Sequence, residues 1–199
     1  MAGRGLGAAA AAAVLALAIA ACGASATPRP AADTIPAALI AQSRPIGHGA
    51  AFHPPARGPV PGDCRSGRGA RNGAHVELFA RNRVVLVAAG IGVRGPITRS
   101  GGRITQARCY GSLVTLEPTG VVLVRGGTRA TLADLFHAWG QTLTPRRLLS
   151  FRGRVRVYID GRPHLGPPAR VPLRRHAEIV LEVGPHVPPH PAYHFPPGA

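Results

Sequence analysis

The chain has 199 residues, with 24 basic residues against 8 acidic ones, a formal net charge of +16 at pH 7. This length allows one domain of ordinary size besides terminal segments. Every basic residue is arginine, and Ala, Gly and Pro are also abundant, so much of the excess follows from a GC-rich coding sequence. The arginines are scattered in sequence, which predicts diffuse attraction to an anionic lipid or a cell-wall polymer and argues against a nucleic-acid partner.

The N-terminal segment has the features of a secretory signal. Arg4 precedes an apolar run too short to span a bilayer comfortably. Residues 19–22, IAAC, resemble the lipobox of bacterial lipoproteins. The resemblance implies removal of residues 1–21 and transfer of a diacylglyceryl group, with acyl chains such as palmitate, to Cys22. We therefore expect an extracytoplasmic, lipid-anchored protein; the alternative is an ordinary signal peptide with a chance cysteine.

Composition divides the mature chain into three parts. Residues 22–61 are rich in Ala, Pro and Gly and lack sustained periodicity, which predicts a flexible tether. Residues 62–184 are expected to form the domain. Residues 185–199 form a Pro- and His-rich tail that we expect to be non-regular.

Alternation of apolar and polar residues predicts the strands. Over residues 75–80, Val76 and Leu78 face one way, and Glu77 and Phe79 face the other. Further strands are predicted over residues 84–88, 113–116, 121–124, 155–159 and 178–183.

Two further predictions concern a loop and a pair of glutamates. Residues 94–102 lack alternation and are predicted to be a loop. Glu178 and Glu182 lie two pleats apart in the last strand, and we expect them on a solvated face.

The chain predicts one amphipathic helix, between Thr131 and Gly140. Thr131 and Asp134 have the spacing of a capping box, and Gly140 is a typical helix-ending residue. The apolar stripe consists of Leu132, Leu135, Phe136 and Trp139. The order strand, strand, hairpin, helix, strand, strand predicts an α+β fold, a mostly antiparallel sheet with one main helix, β-grasp-like, with residues 113–124 as an inserted hairpin.

With Cys22 assigned to the anchor, two cysteines remain. Cys64 and Cys109 are an even pair in an oxidising compartment, which predicts a disulfide. Two buried free thiols and a metal site are the alternatives, but a metal site usually includes a C-x-x-C pair, and the chain contains none.

Motifs of catalysis are missing from the sequence. It contains no nucleophile elbow, P-loop, zincin helix or paired acidic residues. Ser112 and His137 would make a nucleophile and a base, but no third member is indicated. We expect no enzymatic activity and no cofactor.

The histidines are candidates for metal binding. His186, His190 and His194 recur every four residues, but the intervening prolines prevent a helix that would align them. A polar Pro-rich tail is the simpler interpretation. The alternative is a metal-binding protein that uses these residues together with His75 or His176.

Several segments carry a family resemblance. They are HVELF at 75–79, EPTGVV at 117–122, TLADLFHAWG at 131–140, VRVYIDGR at 155–162 and PLRRHAEIVLEVG at 172–184, with Cys64 and Cys109 ahead of the first two. On these segments, residues 60–198 resemble an uncharacterised family of bacterial extracytoplasmic proteins. The resemblance also supports the pairing of the two cysteines.

The departures from that family bear on metal binding. The family carries H-x-H-x-H-L and H-T-H-D runs that look like a metal or proton-active cluster. Here Arg71 and Gly73 replace two histidines of the first run and leave His75, and Val114 and Leu116 replace those of the second. One imidazole does not make a site that needs three or four donors. We therefore expect no metal site in residues 62–184, and a non-catalytic binding or scaffolding role at the cell envelope.

The lipobox leads to a direct test. Cys22→Ala should leave the protein unprocessed or release it from membranes, because the acylated thiol is the expected anchor. Fractionation and incorporation of labelled lipid measure this. Normal cleavage and full membrane retention without lipid label would contradict the anchor.

Overall fold

The computed structural model describes residues 43–195. The predicted signal peptide, Cys22, the first part of the tether and the last four residues lie outside this range. Within residues 43–195, no helix is long and apolar enough to cross a membrane.

The described residues form strands, one α-helix and one 3₁₀ turn. In chain order they are β1 (Arg71–Ala80), β2 (Arg83–Val85), β3 (Val93–Ser100), β4 (Arg103–Tyr110), β5 (Leu113–Val114), β6 (Val121–Arg125), α1 (Leu132–Trp139), β7 (Leu143–Thr144), β8 (Arg147–Leu148), β9 (Phe151–Arg152), β10 (Val155–Ile159), β11 (Arg162–His164), the 3₁₀ turn Pro168–Arg170 and β12 (Glu178–Val183).

One seven-stranded sheet organises the domain. Its strand order is β11-β10-β12-β1-β6-β5, and β2 pairs with the end of β1. The central strands β1 and β12 are parallel, while β10, β6 and β2 pair antiparallel to them. Antiparallel strands therefore flank a parallel central pair. Helix α1 lies in the part of the chain that connects β6 to β10. This confirms the predicted α+β, β-grasp-like fold.

Helix α1 packs on one face of the sheet. Asp134 accepts hydrogen bonds from the amide and hydroxyl of Thr131, at 2.7 and 2.8 Å, and Gly140 ends the helix in the left-handed conformation, with φ 73°. Trp139 is fully buried, and its Nε1 donates to the carbonyl of Pro54. The predicted helix and the core role of its tryptophan are thus confirmed.

The segment predicted as a loop is a strand. Val93–Ser100 pairs with Arg103–Tyr110 in a separate two-stranded sheet with irregular register. Most residues of β3 are exposed, so no alternation of apolar residues marks it in the sequence. This pair, β3 and β4, is the inserted hairpin of the fold. The predicted hairpin over residues 113–124 belongs to the main sheet, where β6 pairs directly with β1.

Part of the predicted tether belongs to the domain. We call residues 43–61 the N-terminal arm. The Gly47 amide donates to Val84, the Leu86 amide donates to Phe52, and the Phe52 ring contacts the Phe151 ring at a centroid distance of 4.9 Å. The packed region therefore begins before residue 62. An extended arm that pairs through its backbone has no hydrophobic periodicity of its own. Its Ala, Pro and Gly composition therefore predicted a flexible tether.

The disulfide is present. Cys64, ahead of β1, is joined to Cys109 in β4, at a sequence separation of 45. The bond ties the inserted hairpin to the segment that leads into the central strand.

Loss of this bond should destabilise the domain measurably. In the chain-entropy model, closing a loop of this length stabilises the fold by about 4 kcal/mol, so Cys64→Ser with Cys109→Ser should lower the melting temperature by roughly 10 °C. Cys22→Ser is the matched control and should leave the melting temperature unchanged. Non-reducing mass mapping that finds both thiols free would refute the pairing.

Candidate functional site

The second face of the sheet is covered by the chain's own C-terminal segment, residues 185–195. This segment has no regular secondary structure, as predicted. Val187 is buried and packs with Phe79 and Val180, which point away from the helix. The sheet therefore lies between α1 on one face and the C-terminal segment on the other.

This cover overturns the expectation for the two glutamates of β12. Glu178 and Glu182 do lie on the face opposite the helix, but they are 1% and 0% exposed. The reason is tertiary: the tail that composition marks as polar and non-regular folds back over them. Buried carboxylates need partners, and each finds a different set.

Glu178 pairs with a histidine of the neighbouring strand. The parallel register places His75 beside Glu178, and His75 Nδ1 lies 2.7 Å from Glu178 Oε2. His75 Nε2 lies 2.8 Å from the carbonyl oxygen of Thr119. Because a carbonyl only accepts, Nε2 carries a hydrogen, and Nδ1 shares a proton with the carboxylate.

The His75–Glu178 pair is buried, and one of its oxygen atoms has no hydrogen-bond partner among the described residues. Burial raises the pKa of the Glu178 carboxyl above its ordinary value of 4.5, and the hydrogen bond and charge of His75 oppose that rise. Glu178 Oε1 is buried without a hydrogen-bond partner among the described residues. A buried acceptor left in this way is rare in a folded protein and calls for an explanation, such as a bound ion or water.

A second His–Glu pair adjoins the first. Glu77, two residues along β1 from His75, accepts from or shares a proton with His190 of the C-terminal segment, with Nδ1 and Oε2 at 2.7 Å. One donor atom each from His75, Glu77 and Glu178 lies within 4.8 Å of the others. We call these three residues and His190 the His–Glu cluster. Across residues 43–195 the structure contains no other group of three or more such ligands at this spacing.

Two aromatic rings of the C-terminal segment stack on histidines, and one of these histidines belongs to the cluster. The ring of Tyr193 stacks on His75 with centroids 3.7 Å apart, and Phe195 stacks on His176 at 4.7 Å. Burial, together with the nearby carboxylates, raises the pKa of Tyr193 above 10.0. Gly120 closes the side: a Cβ there would lie 3.0 Å from His75 Nε2. The histidine is thus held between a ring and a backbone turn.

Glu182 is the centre of a separate network. Its Oε1 accepts from Arg156 Nε at 2.5 Å and contacts Tyr158 and His186, while its Oε2 accepts from the Val187 amide at 2.7 Å. Burial by itself would raise the pKa of this carboxyl, but the hydrogen bonds of His186, Arg156 and Val187 outweigh it and lower the pKa below 4.5. This network fastens the start of the C-terminal segment to the sheet.

The structure separates the three tail histidines. His186 binds Glu182, His190 binds Glu77, and His194 is exposed. Within residues 43–195 they form no joint ligand group with one another or with His75; His190 lies beside Glu77, two residues from His75 on β1. His176 contacts Phe195 and lies outside the cluster of ligands.

Other residues singled out in the sequence have structural roles. Ser112 Oγ donates to the Pro61 carbonyl, and His137 is exposed on α1. Arg71 donates to the carbonyls of Arg68, Gly111, Ser112 and Leu123, and burial, with the charges of Arg125 and Arg68, lowers its pKa to about 10.

Two further positions that depart from the resembled family, Val114 and Leu116, make apolar contacts. Val114 and Leu116 pack with Ile104 and Tyr110 in a small core beneath the inserted hairpin. Histidines at these positions would be buried in that core, so the replacement suits its packing.

No protein-family model matches this chain, and neither a curated protein nor a solved structure matches it significantly. The family resemblance stays a prediction, and the function must be argued from the site.

The Glu182 network predicts a pH dependence of stability. Because its folded pKa lies below the unfolded value of about 4.5, its contribution is fully present above that pH and is lost as pH falls through the folded pKa. The difference in unfolding free energy between the wild type and Glu182→Gln should therefore shrink on acidification. Urea titrations at about pH 7, 5 and 3 measure it. The control Glu117→Gln should show a smaller change, and a constant difference for Glu182→Gln would contradict the assignment.

Proposed function

We propose that the protein is a lipid-anchored, non-catalytic protein of the cell envelope that binds a divalent transition-metal ion in the His–Glu cluster. The observation that carries this proposal is the convergence of His75, Glu77 and Glu178, whose donor atoms lie within 4.8 Å of one another beneath the C-terminal segment. The anchor at Cys22 rests on the signal sequence alone. The metal is argued from the donors and their surroundings.

His75 is oriented as a metal ligand. Ligating histidines usually donate their second ring nitrogen to a carbonyl or carboxylate, which fixes the tautomer and the ring. The Thr119 carbonyl accepts from Nε2 in this way, so Nδ1, which faces Glu178, is the nitrogen that would bind a metal ion. A metal ion at Nδ1 would replace the proton that His75 now shares with Glu178.

The other donors complete a mixed nitrogen and oxygen set. Glu178 brings the oxygen Oε1, which has no partner among residues 43–195, and Glu77 brings a second carboxylate. His190 is hydrogen-bonded to Glu77 at 2.7 Å and orients that carboxylate from outside the group of three. One imidazole and two carboxylates are ligands that Zn²⁺ accepts, and the two carboxylates neutralise its charge.

The surroundings favour binding over catalysis. Tyr193 lies on the face of His75, and the cavity beside the cluster has a volume of about 100 Å³. This volume is well below the roughly 300–1,000 Å³ of a typical small-molecule pocket. The small space beside the ligands therefore favours binding of an ion over catalysis on a larger substrate.

Zinc titration of the whole chain in detergent tests the proposal. The wild type should bind one Zn²⁺, and Glu178→Gln should weaken binding by more than the roughly 10–100-fold that loss of an outer partner costs. The amide keeps the shape and the hydrogen bond to His75, so the fold should survive. His190→Ala should weaken binding less, because it lies at the exposed side of the cluster.

Matched controls locate the site. His137→Ala and His194→Ala remove exposed imidazoles outside the cluster and should leave Zn²⁺ affinity unchanged. Absence of binding by the wild type, or equal losses in His194→Ala and Glu178→Gln, would overturn the proposal.

A further inference from the structure

We propose that a groove lined by arginines binds a polyanionic chain of phosphodiester-linked carbon units. The groove runs between the β9–β10 turn and the segment 163–168. We call it the arginine groove. It lies outside the His–Glu cluster, with which it shares no residue.

The fold gathers residues that are separated in the sequence. Arg152 ends β9, Arg154 lies in the turn that follows, Arg156 lies in β10, and Arg146 lies between β7 and β8. The main depression has a volume of about 1010 Å³, and a smaller one of about 270 Å³ adjoins it, sharing Arg152, Arg154 and Arg156 and adding Arg81. The two depressions share three arginines, so a ligand that occupies both would contact several guanidinium groups at once.

The positive charge of the groove is compensated only at Arg156, which pairs with Glu182. Among the residues that line the two depressions, none is acidic. Within residues 43–195, the side chains of Arg146, Arg152 and Arg154 make no ion pair or hydrogen bond. Their guanidinium groups are exposed and available, and the planar fork of each matches two phosphate oxygens.

One arginine of the groove is held rigidly. Arg156 donates to Glu182 and to the Gly184 carbonyl, at 2.5 and 2.6 Å. The same network that fastens the C-terminal segment therefore fixes the base of the basic wall. An arginine that is already held in place loses less side-chain entropy on binding than a mobile one would.

The facing wall is apolar. Pro163, Pro167 and Pro168 line it, Leu165 is 96% exposed beside them, and His164 is the one polar side chain of this segment. A groove with one cationic wall and one apolar wall fits a chain that alternates phosphates with carbon units. A flat bilayer surface fits a recessed groove poorly, since its headgroups lie in a plane. The ligand class is therefore a phosphodiester polymer rather than a lipid surface.

This proposal differs from the expectation of a purely diffuse field. Scattered charges attract anions weakly, and any single arginine matters little. A groove concentrates the attraction in a few positions, so that substitution there has a larger effect than substitution of equal charge elsewhere. That difference makes the two cases separable by experiment.

The test compares two double variants of the full chain in non-ionic detergent. Arg152→Gln with Arg154→Gln alters the groove, and Arg94→Gln with Arg99→Gln removes the same charge from the exposed inserted hairpin. The probe is a glycerol-phosphodiester oligomer, titrated across a salt series. The groove variant should lose about tenfold in affinity at roughly 0.15 M salt, and its slope of log affinity against log salt should fall by about 1–2.

The remaining measurements distinguish binding in the groove from attraction by a diffuse field or by a lipid surface. The hairpin variant should keep its affinity within about twofold and its salt slope. Inorganic polyphosphate, which lacks carbon units, should bind more weakly than the glycerol oligomer per phosphate. Equal losses in the two variants would show a diffuse field, and tighter binding to anionic vesicles than to the oligomer would show a lipid surface. Either result, or no binding by the wild type, would overturn the proposal.

Discussion

The parallel pairing of β1 with β12 is the constraint on which the rest of the structure depends. These strands come from opposite ends of the domain, and their register places His75 beside Glu178. It also places the apolar residues of both strands against α1. A slip of one residue in β12 would turn Glu178 and Glu182 into the helix-facing core and Ile179 and Leu181 out of it. The burial of the core and the assembly of the His–Glu cluster therefore follow from one register.

That register would leave a polar face exposed if the chain ended at β12. The C-terminal segment covers it instead, and its side chains match the groups beneath: Val187 lies on apolar residues, His190 on Glu77 and Tyr193 on His75. Burying a carboxylate is costly unless it is paired and hydrogen-bonded. The histidines of the segment supply those partners, which explains why a Pro-rich segment without regular structure has a defined place.

The two proposed sites differ in how the fold makes them. The His–Glu cluster uses adjacent positions on central strands, where packing holds ligands in place. The arginine groove uses turns and short strands at the edge of the sheet, where exposed side chains remain mobile. Glu182 connects the two regions, because it binds Arg156 of the groove and fastens the segment that covers the cluster. The same buried carboxylate thus supports both surfaces.

The sequence by itself determined the elements that have a local signature. Thr131, Asp134 and Gly140 mark the helix, alternation over residues 75–80 assigns His75 and Glu77 to one face, and cysteine parity predicts the disulfide. The order of elements was enough for the α+β, β-grasp-like class. The β3 strand has no buried face, and the N-terminal arm pairs through its backbone, so neither leaves a periodic pattern to read.

Only the tertiary structure decided which polar residues meet. His75, Glu178 and His190 lie far apart in sequence, and their meeting depends on the strand register and on the return of the C-terminal segment over the sheet. The arginines likewise look scattered until β8, β9 and β10 bring them around one groove. Local patterns report the direction of a side chain, whereas contacts between distant segments arise from the burial of the whole chain.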